Sequence, residues 1–298
     1  MRDLLSVADL TADELEHLLA LARRAKADRH AFRDAAAGAS VAVLFEKPSL
    51  RTRFSVEVAC TRVGAHPVGA YDREVGLGSR EPIADAARVL DGYVDAIVMR
   101  TFEHDRVRSL ADAAGVPVIN ALSDDHHPLQ GLADVLTIED TAPSPLRVAW
   151  IGDGNNVCHS LLEACALRGI EVVVACPSGH EPDGAVVSWA AERIAVDVTD
   201  DPVRAVKDST AVVTDVWASM GREDEAEQRR ATFEPYRVTP ELMASAATGA
   251  VFLHCLPAHR GDEVAAEVID GGASVVFEQA HNRLHTTTAV LAAAIGGA

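Results

Sequence analysis

The feature that most constrains the fold is a regular alternation of short apolar runs with amphipathic stretches. "VAVLF" (41–45), "DAIVM" (95–99) and "VPVIN" (116–120) are separated by segments such as "PIADAARVLDGYV", whose apolar residues recur at helical spacing. Short apolar runs with helices between them are the pattern of a parallel sheet covered by helices. Around "TAPSPL" (141–146) proline and serine break a helix expected over about 128–140, and a second series begins at "RVAWI" (147–151). It continues through "EVVVAC", "AVVTD", "AVFLHC" and "SVVFE", and the tail "NRLHTTTAVLAAAI" reads as a last helix. Upstream, Thr11 and Glu14 have capping-box spacing ahead of Leu15, Leu18, Leu19 and Ala22, which predicts an amphipathic helix over 12–29. The expected class is α/β, with two domains, each a parallel β-sheet flanked by helices, and a cleft between them. The expected bounds are 1–140 and 147–283, with a C-terminal helix over 284–298 packing back on the first domain.

Composition narrows the function classes. The chain has 298 residues, 48% of them hydrophobic, and a formal net charge of -18, which repels nucleic acid and anionic lipid. An anionic ligand therefore needs a local cluster of positive charge. The five cysteines, Cys60, Cys158, Cys165, Cys176 and Cys255, form no CxxC pair, so a disulfide framework or structural zinc site is not expected. The N-terminal stretch is interrupted by acids and lacks an apolar block, and no long apolar run occurs elsewhere. The expectation is a cytoplasmic protein with no export signal and no membrane or nucleic-acid partner.

In open α/β sheets ligands bind beyond the carboxyl ends of the strands, and those positions are polar here. "EKPSLRTR" follows 41–45, Arg100 follows 95–99, "SDDHHPLQ" lies after 116–120, "GDGNN" follows 147–151, and "DVWASMG" and "HCLPAHR" follow two later strands. Ser49 suits an N-cap, which puts Arg51 and Thr52 in a first helical turn whose free N–H groups favour an anion. Arg53 and Arg100 add guanidinium donors, with His127 at a neighbouring strand end, although a plain capped helix with surface arginines fits this stretch too. "GDGNNV" lacks the third glycine of a dinucleotide loop, leaving a turn in which Asn155 and Asn156 either meet a polar substrate or cap a helix. His126, His127, His254, Cys255 and His259 lack metal-ligand spacings, so no metal is expected. Cys255 is either a small buried hydrophobe or, beside Asp215, a chemical group.

Taken together, "SLRTR", "HPLQ", "DVWASMG" and "HCLPAHRG", in that order with "NRLHTTTAVL" at the end, resemble the aspartate/ornithine carbamoyltransferase family, and more closely its ornithine branch. The resemblance implies carbamoyl transfer from carbamoyl phosphate to the δ-amino group of L-ornithine, with no cofactor. It implies that Ser49, Leu50, Arg51, Thr52 and Arg53 hold the phosphate and that Arg100, His127 and Gln130 reach the carbamoyl group. Asn156, Asp215, Ser219 and Met220 correspond to ornithine-binding positions. Cys255 and Leu256 would lie by the δ-amino group and carbamoyl carbon, and Arg283 would complete the site. Arg100, Asp215 and Cys255 are the expected catalytic set. The family's assembly is a homotrimer or a multiple of trimers with active sites at subunit interfaces.

Some positions depart from the family pattern. Gly76 stands where a glutamine commonly precedes Leu-Gly, His281 where a glutamate precedes asparagine, and His126 where an aromatic residue precedes His-Pro. Another acceptor amine, or a catalytically weak paralogue that binds anions or serves as a partner subunit, therefore stays open at the level of sequence.

Overall fold

The computed structural model describes residues 3–71, 76–78, 80–217 and 226–298. Two compact units divide the chain: 1–133 with 281–298, and 134–280. The division falls inside a helix, Pro128–Thr141, earlier than the 141–146 loop expected from its Pro and Ser residues.

In the first unit the elements are α1 (Ala12–Ala27), β1 (Ser40–Phe45), α2 (Leu50–Val63), β2 (His66–Tyr71), α3 (Ile83–Asp91), β3 (Ala96–Arg100), α4 (His104–Ala113), β4 (Val118–Leu122) and the start of α5 (Pro128–Thr141). Thr11 and Glu14 make the reciprocal cap: the Glu14 N–H donates to Thr11 Oγ1 (3.2 Å), and the Thr11 N–H donates to Glu14 Oε2 (2.8 Å). The Thr11 N–H, and then the Thr11 hydroxyl (2.9 Å), donate to the Glu14 carboxylate and hold it below its ordinary range. The buried face of α1 carries Leu15, Leu18, Leu19 and Ala22. The described strands pair in parallel in the order β2-β1-β3-β4. Order reverses between β1 and β3, so the chain leaving Phe45 and the side chain of Arg100 flank the switch point where α/β sheets bind ligands. A register shift between Met99 and Arg100 bends the strand end.

The second unit holds β5 (Arg147–Ile151), α6 (Asn156–Arg168), β6 (Glu171–Ala175), α7 (Gly184–Ala191), β7 (Val196–Thr199), α8 (Pro202–Val206), β8 (Ala211–Thr214), α9 (Ala226–Phe233), α10 (Pro240–Ala244), β9 (Val251–His254) and α11 (Ala266–Ile269). The described strands run parallel in the order β7-β6-β5-β8-β9, with the reversal between β5 and β8. Ala149, Ile151, Val173, Val212 and Phe252 from neighbouring strands pack with Val264, Val268 and Val276 in its core. The closing helix α12 (Val276–Ile295) starts in the second unit, and its residues from His281 onward belong to the first.

Two expectations are corrected, and two strands were missed. "SVVFE" is not a strand: Ser274 makes one isolated bridge to Phe252 and the Val275 N–H donates to Phe252 O (3.0 Å), after which α12 begins. The strand expected at 116–120 is displaced to Val118–Leu122. The edge strands β2 and β7 lacked a clean signal. β2 contains Pro67 and Gly69, which only an edge tolerates, and β7, "VDVT", is short and part-exposed.

Candidate active site

The first cluster grows from the start of α2. Ser49 is extended (φ -162°), and its hydroxyl accepts the Thr52 N–H (3.2 Å), which places Arg51 and Thr52 in the first turn of α2. Thr52 is buried, and its Oγ1 receives Arg100 Nη1 (3.5 Å) and Arg283 Nη2 (3.2 Å). Arg283, from α12, also donates from Nη1 to Gln130 Oε1 (2.5 Å) in α5. Arg100 and Arg283 are both almost wholly buried. Two buried guanidiniums around one threonine, next to a helix N-terminus, make a positive local field that favours an anion.

His127 lies in the same field. Its burial, and then the charges of Arg283 and Arg100, push the imidazole pKa well below its ordinary value. His127 is therefore neutral at physiological pH, a ring that can donate to a carbonyl oxygen without holding a permanent charge.

Arg53 does not join this group. Its Nε pairs with Glu57 Oε1 (2.8 Å), and its guanidinium lies over the Tyr71 ring (4.2 Å to the centroid). The i,i+4 spacing in α2 offers Arg53 a carboxylate on its own exposed face. Leu50 projects outward and is 69% exposed.

Gly76 is left-handed, with φ +55°, and a Cβ there would lie 2.5 Å from Arg80 Nε. The glycine is accounted for by backbone conformation and by the Arg80 side chain lying against it. The turn it belongs to is fixed by Arg106, which pairs bidentately with Glu46 and also donates to Leu77 O (2.5 Å).

In the second unit the site forms across the β5/β8 switch. Gly152 has φ +129°, and a Cβ on Gly154 would meet Pro182 N at 2.2 Å, so both glycines are required for the tight turn. Asn155 caps α6, its Oδ1 accepting the Val157 and Cys158 N–H groups (3.0 and 3.1 Å). Its Nδ2 donates to Asp215 Oδ2 (2.8 Å), so capping and contact with a site residue are both realised, by Asn155. Asn156 is the first residue of α6 and is half-buried. Asp215 Oδ1 accepts Cys255 Sγ (3.0 Å) and its own neighbour's N–H at Val216 (2.8 Å). Ser219 and Met220 lie outside the described residues.

Arg229 leads back to the same turn. It is buried, bonds the Asp153 carboxylate and the Trp217 carbonyl, and stacks over Phe233. The segment after Asp215 is thereby tied to the "GDGNN" turn.

After Cys255 the backbone turns at Leu256 with φ +58°, rare for a residue with a side chain. The Leu256 N–H donates to His254 Nδ1 (2.8 Å), so the His254 ring proton sits on Nε2, facing buried Glu263 Oε1 (3.2 Å). Glu263 Oε1 also accepts the His259 N–H (2.5 Å). This network offsets a strain of about 1–3 kcal/mol and presents Cys255 to Asp215. His254 and Glu263 had no signal in sequence beyond proximity to Cys255. Asp215, His254 and Cys255 place donor atoms within 4.8 Å of one another, a grouping that linear spacing did not suggest. Both His254 nitrogens are engaged, so ligating a metal would cost the Leu256 or Glu263 bond. Cys60, Cys158, Cys165 and Cys176 are buried, and burial raises their thiol pKa values, to about 12 for Cys60 and Cys176. They are packing residues.

The comparisons with known proteins follow this division of labour. Residues 2–140 match the aspartate/ornithine carbamoyltransferase carbamoyl-P binding domain, and residues 144–294 match the Asp/Orn binding domain of that family. An ornithine carbamoyltransferase of Acidothermus cellulolyticus is 50% identical, covering 98% of this chain and 96% of the relative. An anabolic ornithine carbamoyltransferase of Pyrococcus furiosus is 47% identical, covering 99% and 97%. Among solved structures, the P. furiosus ornithine carbamoyltransferase superposes with a TM-score of 0.94 at 47% identity, covering 99% of this chain and 97% of that one. The Thermus thermophilus ornithine carbamoyltransferase gives 0.90 at 44% identity, covering 98% of each. With both domains matched in order and the relatives covered nearly end to end, the chain belongs to the aspartate/ornithine carbamoyltransferase family.

Proposed function

We propose that the protein transfers the carbamoyl group of carbamoyl phosphate to the δ-amino group of L-ornithine, giving L-citrulline and phosphate. The observation that carries this reading is the Cys255–Asp215–Asn155 constellation, a thiol and an amide beside one carboxylate, in a chain whose near-full-length relatives are ornithine carbamoyltransferases. An aspartate acceptor would need cations for two carboxylates. The described loops around Asp215 and Cys255 offer an acid, a thiol and an amide instead.

The chemistry follows from the groups present. A δ-ammonium with a pKa of about 10.4 is nearly all protonated at pH 7, a deficit of about 4.6 kcal/mol for the free amine. Asp215, with Cys255 bonded to it, attracts the ammonium and accepts its proton. The freed lone pair attacks the carbamoyl carbon, and the C=O electrons move to oxygen. Thr52, Arg100 and neutral His127 donate to that developing oxyanion. The attacking nitrogen, cationic in the adduct, gives its second proton to the departing phosphate oxygen as the oxyanion collapses and the C–O bond breaks, and phosphate leaves with the bonding pair onto the N-terminus of α2, Arg51 and Arg283. Gln130, held by Arg283, orients the carbamoyl NH2 group.

The assembly belongs to the same reading. Leu50, Phe54 and Val58 recur every fourth residue on α2 and are 69, 62 and 39% exposed, an apolar stripe beside the phosphate site. We assign it to contact between copies in a homotrimer. Among the described residues no helix is long and apolar enough to cross a membrane; the cytoplasm is the proposed compartment. The function is tested by incubating purified protein with carbamoyl phosphate and ornithine. Citrulline and phosphate appearing in equal amounts support it, and no citrulline above the uncatalysed rate refutes it.

A further inference from the structure

We infer that His104, at the start of α4, is a positioning residue: its neutral ring accepts the Ser123 hydroxyl and so holds the 123–126 turn that delivers His127 and Gln130. The inference rests on the carbamoyl-phosphate role of those residues. His104 Nδ1 lies 2.8 Å from Ser123 Oγ, both groups buried. The hydroxyl accepts Asn120 Nδ2 (3.1 Å) and the His126 N–H (3.3 Å), which occupies its lone pairs. Its one proton is left to donate, and His104 Nδ1 at 2.8 Å is nearer than His126 O at 3.4 Å. The shorter contact assigns the His104 proton to Nε2. The Ser123 N–H closes the turn on His126 O (2.8 Å), and the next residue is His127.

A protonated His104 would turn a donor toward an oxygen already saturated with donors, and the turn would lose its brace. Four charged or titratable groups act electrostatically on the ring. His126, whose ring packs edge-on at 4.9 Å, and Asp125 come from the loop after β4, Arg108 from α4, and Asp9 from the N-terminal segment. Burial first, then His126 and Arg108, lower the His104 pKa, and the two aspartates oppose them less. A His with a lowered folded pKa stays neutral as pH falls through the ordinary value near 6.5, then titrates below it. The brace is intact at neutral pH and is lost in acid.

The test compares the full-length wild type with His104→Asn and His104→Leu, following kcat/KM for carbamoyl phosphate at saturating ornithine across the acid range. Asparagine keeps an acceptor for Ser123 but cannot titrate, so near-wild-type activity at neutral pH with one acid inflection fewer is expected. Leucine lacks the acceptor, so a value lowered by about fivefold, also without that inflection, is expected, with KM for ornithine unchanged. An Asn variant that keeps the full wild-type acid profile, or a Leu variant that matches wild type at neutral pH, overturns the inference. A wild-type protein that makes no citrulline would instead overturn the proposed function, so the two failures are distinct.

Discussion

Replacing Asp215 with asparagine probes the acceptor side of the chemistry. Asp215 is buried, and its oxygens accept Cys255 Sγ, the Val216 N–H and Asn155 Nδ2. Asparagine preserves the shape but has one oxygen. If its NH2 faces Asn155, two donors oppose each other; if it faces Val216, the backbone N–H loses its acceptor. Either choice costs about 1–3 kcal/mol for a buried unsatisfied group. The larger loss is chemical, because the carboxylate that attracts the ammonium and takes its proton is gone, a general-base effect of about 10²–10⁴ in rate. The expected result is a fall of about a thousandfold in kcat/KM for ornithine near neutral pH. KM for carbamoyl phosphate should move little, since the proposed role of Asp215 is toward the amine. The deficit should shrink as pH rises toward the amine's own pKa, where solvent supplies free amine. Steady-state kinetics across pH, with circular dichroism to check folding, would read this out. A folded variant with wild-type kcat/KM for ornithine, or a deficit that does not depend on pH, refutes the assignment of Asp215 as proton acceptor.

Three further outcomes are expected. Arg51→Ala should lower kcat/KM for carbamoyl phosphate about a hundredfold, a charged contact of about 3 kcal/mol, with folding intact; near-normal kinetics would reduce the α2 N-terminus to a capped helix. Gly76→Gln should not improve carbamoyl-phosphate affinity, because φ is +55° and the new Cβ meets Arg80 Nε at 2.5 Å; a lowered KM for carbamoyl phosphate would show that the turn rearranges freely. Phe54→Asp should shift the protein from trimer toward monomer in sedimentation and lower activity with it; an unchanged sedimentation coefficient would place the subunit contact elsewhere.

The sequence carried the α/β class because the central strands are near-continuous apolar runs. It failed where local pattern and packing diverge. β2 was hidden by Pro67 and Gly69, residues that weaken a strand signal but are tolerated at an edge. The run at 274–278 has the β-branched look of a strand, yet after a single bridge its chain enters α12, a choice made by burial of Val276 in the second unit's core. In the candidate site, the positions of Ser49, Thr52, Asp215 and Cys255 beyond strand ends were legible because each follows a predicted strand. The pairing of Arg53 with Glu57, one turn on, was not legible, because a motif places residues in order without saying which way they face. The Leu256–His254–Glu263 network and the His104–Ser123 contact join residues by backbone geometry that no spacing rule encodes.

The account's central claim is that the acceptor is the δ-amine of ornithine. The most direct measurement is a side-by-side comparison of kcat/KM for L-ornithine, L-lysine, putrescine and L-aspartate at saturating carbamoyl phosphate. The account predicts that ornithine is used far better than the other three, with aspartate turned over no faster than background. Turnover of aspartate or putrescine equal to or better than that of ornithine would contradict it.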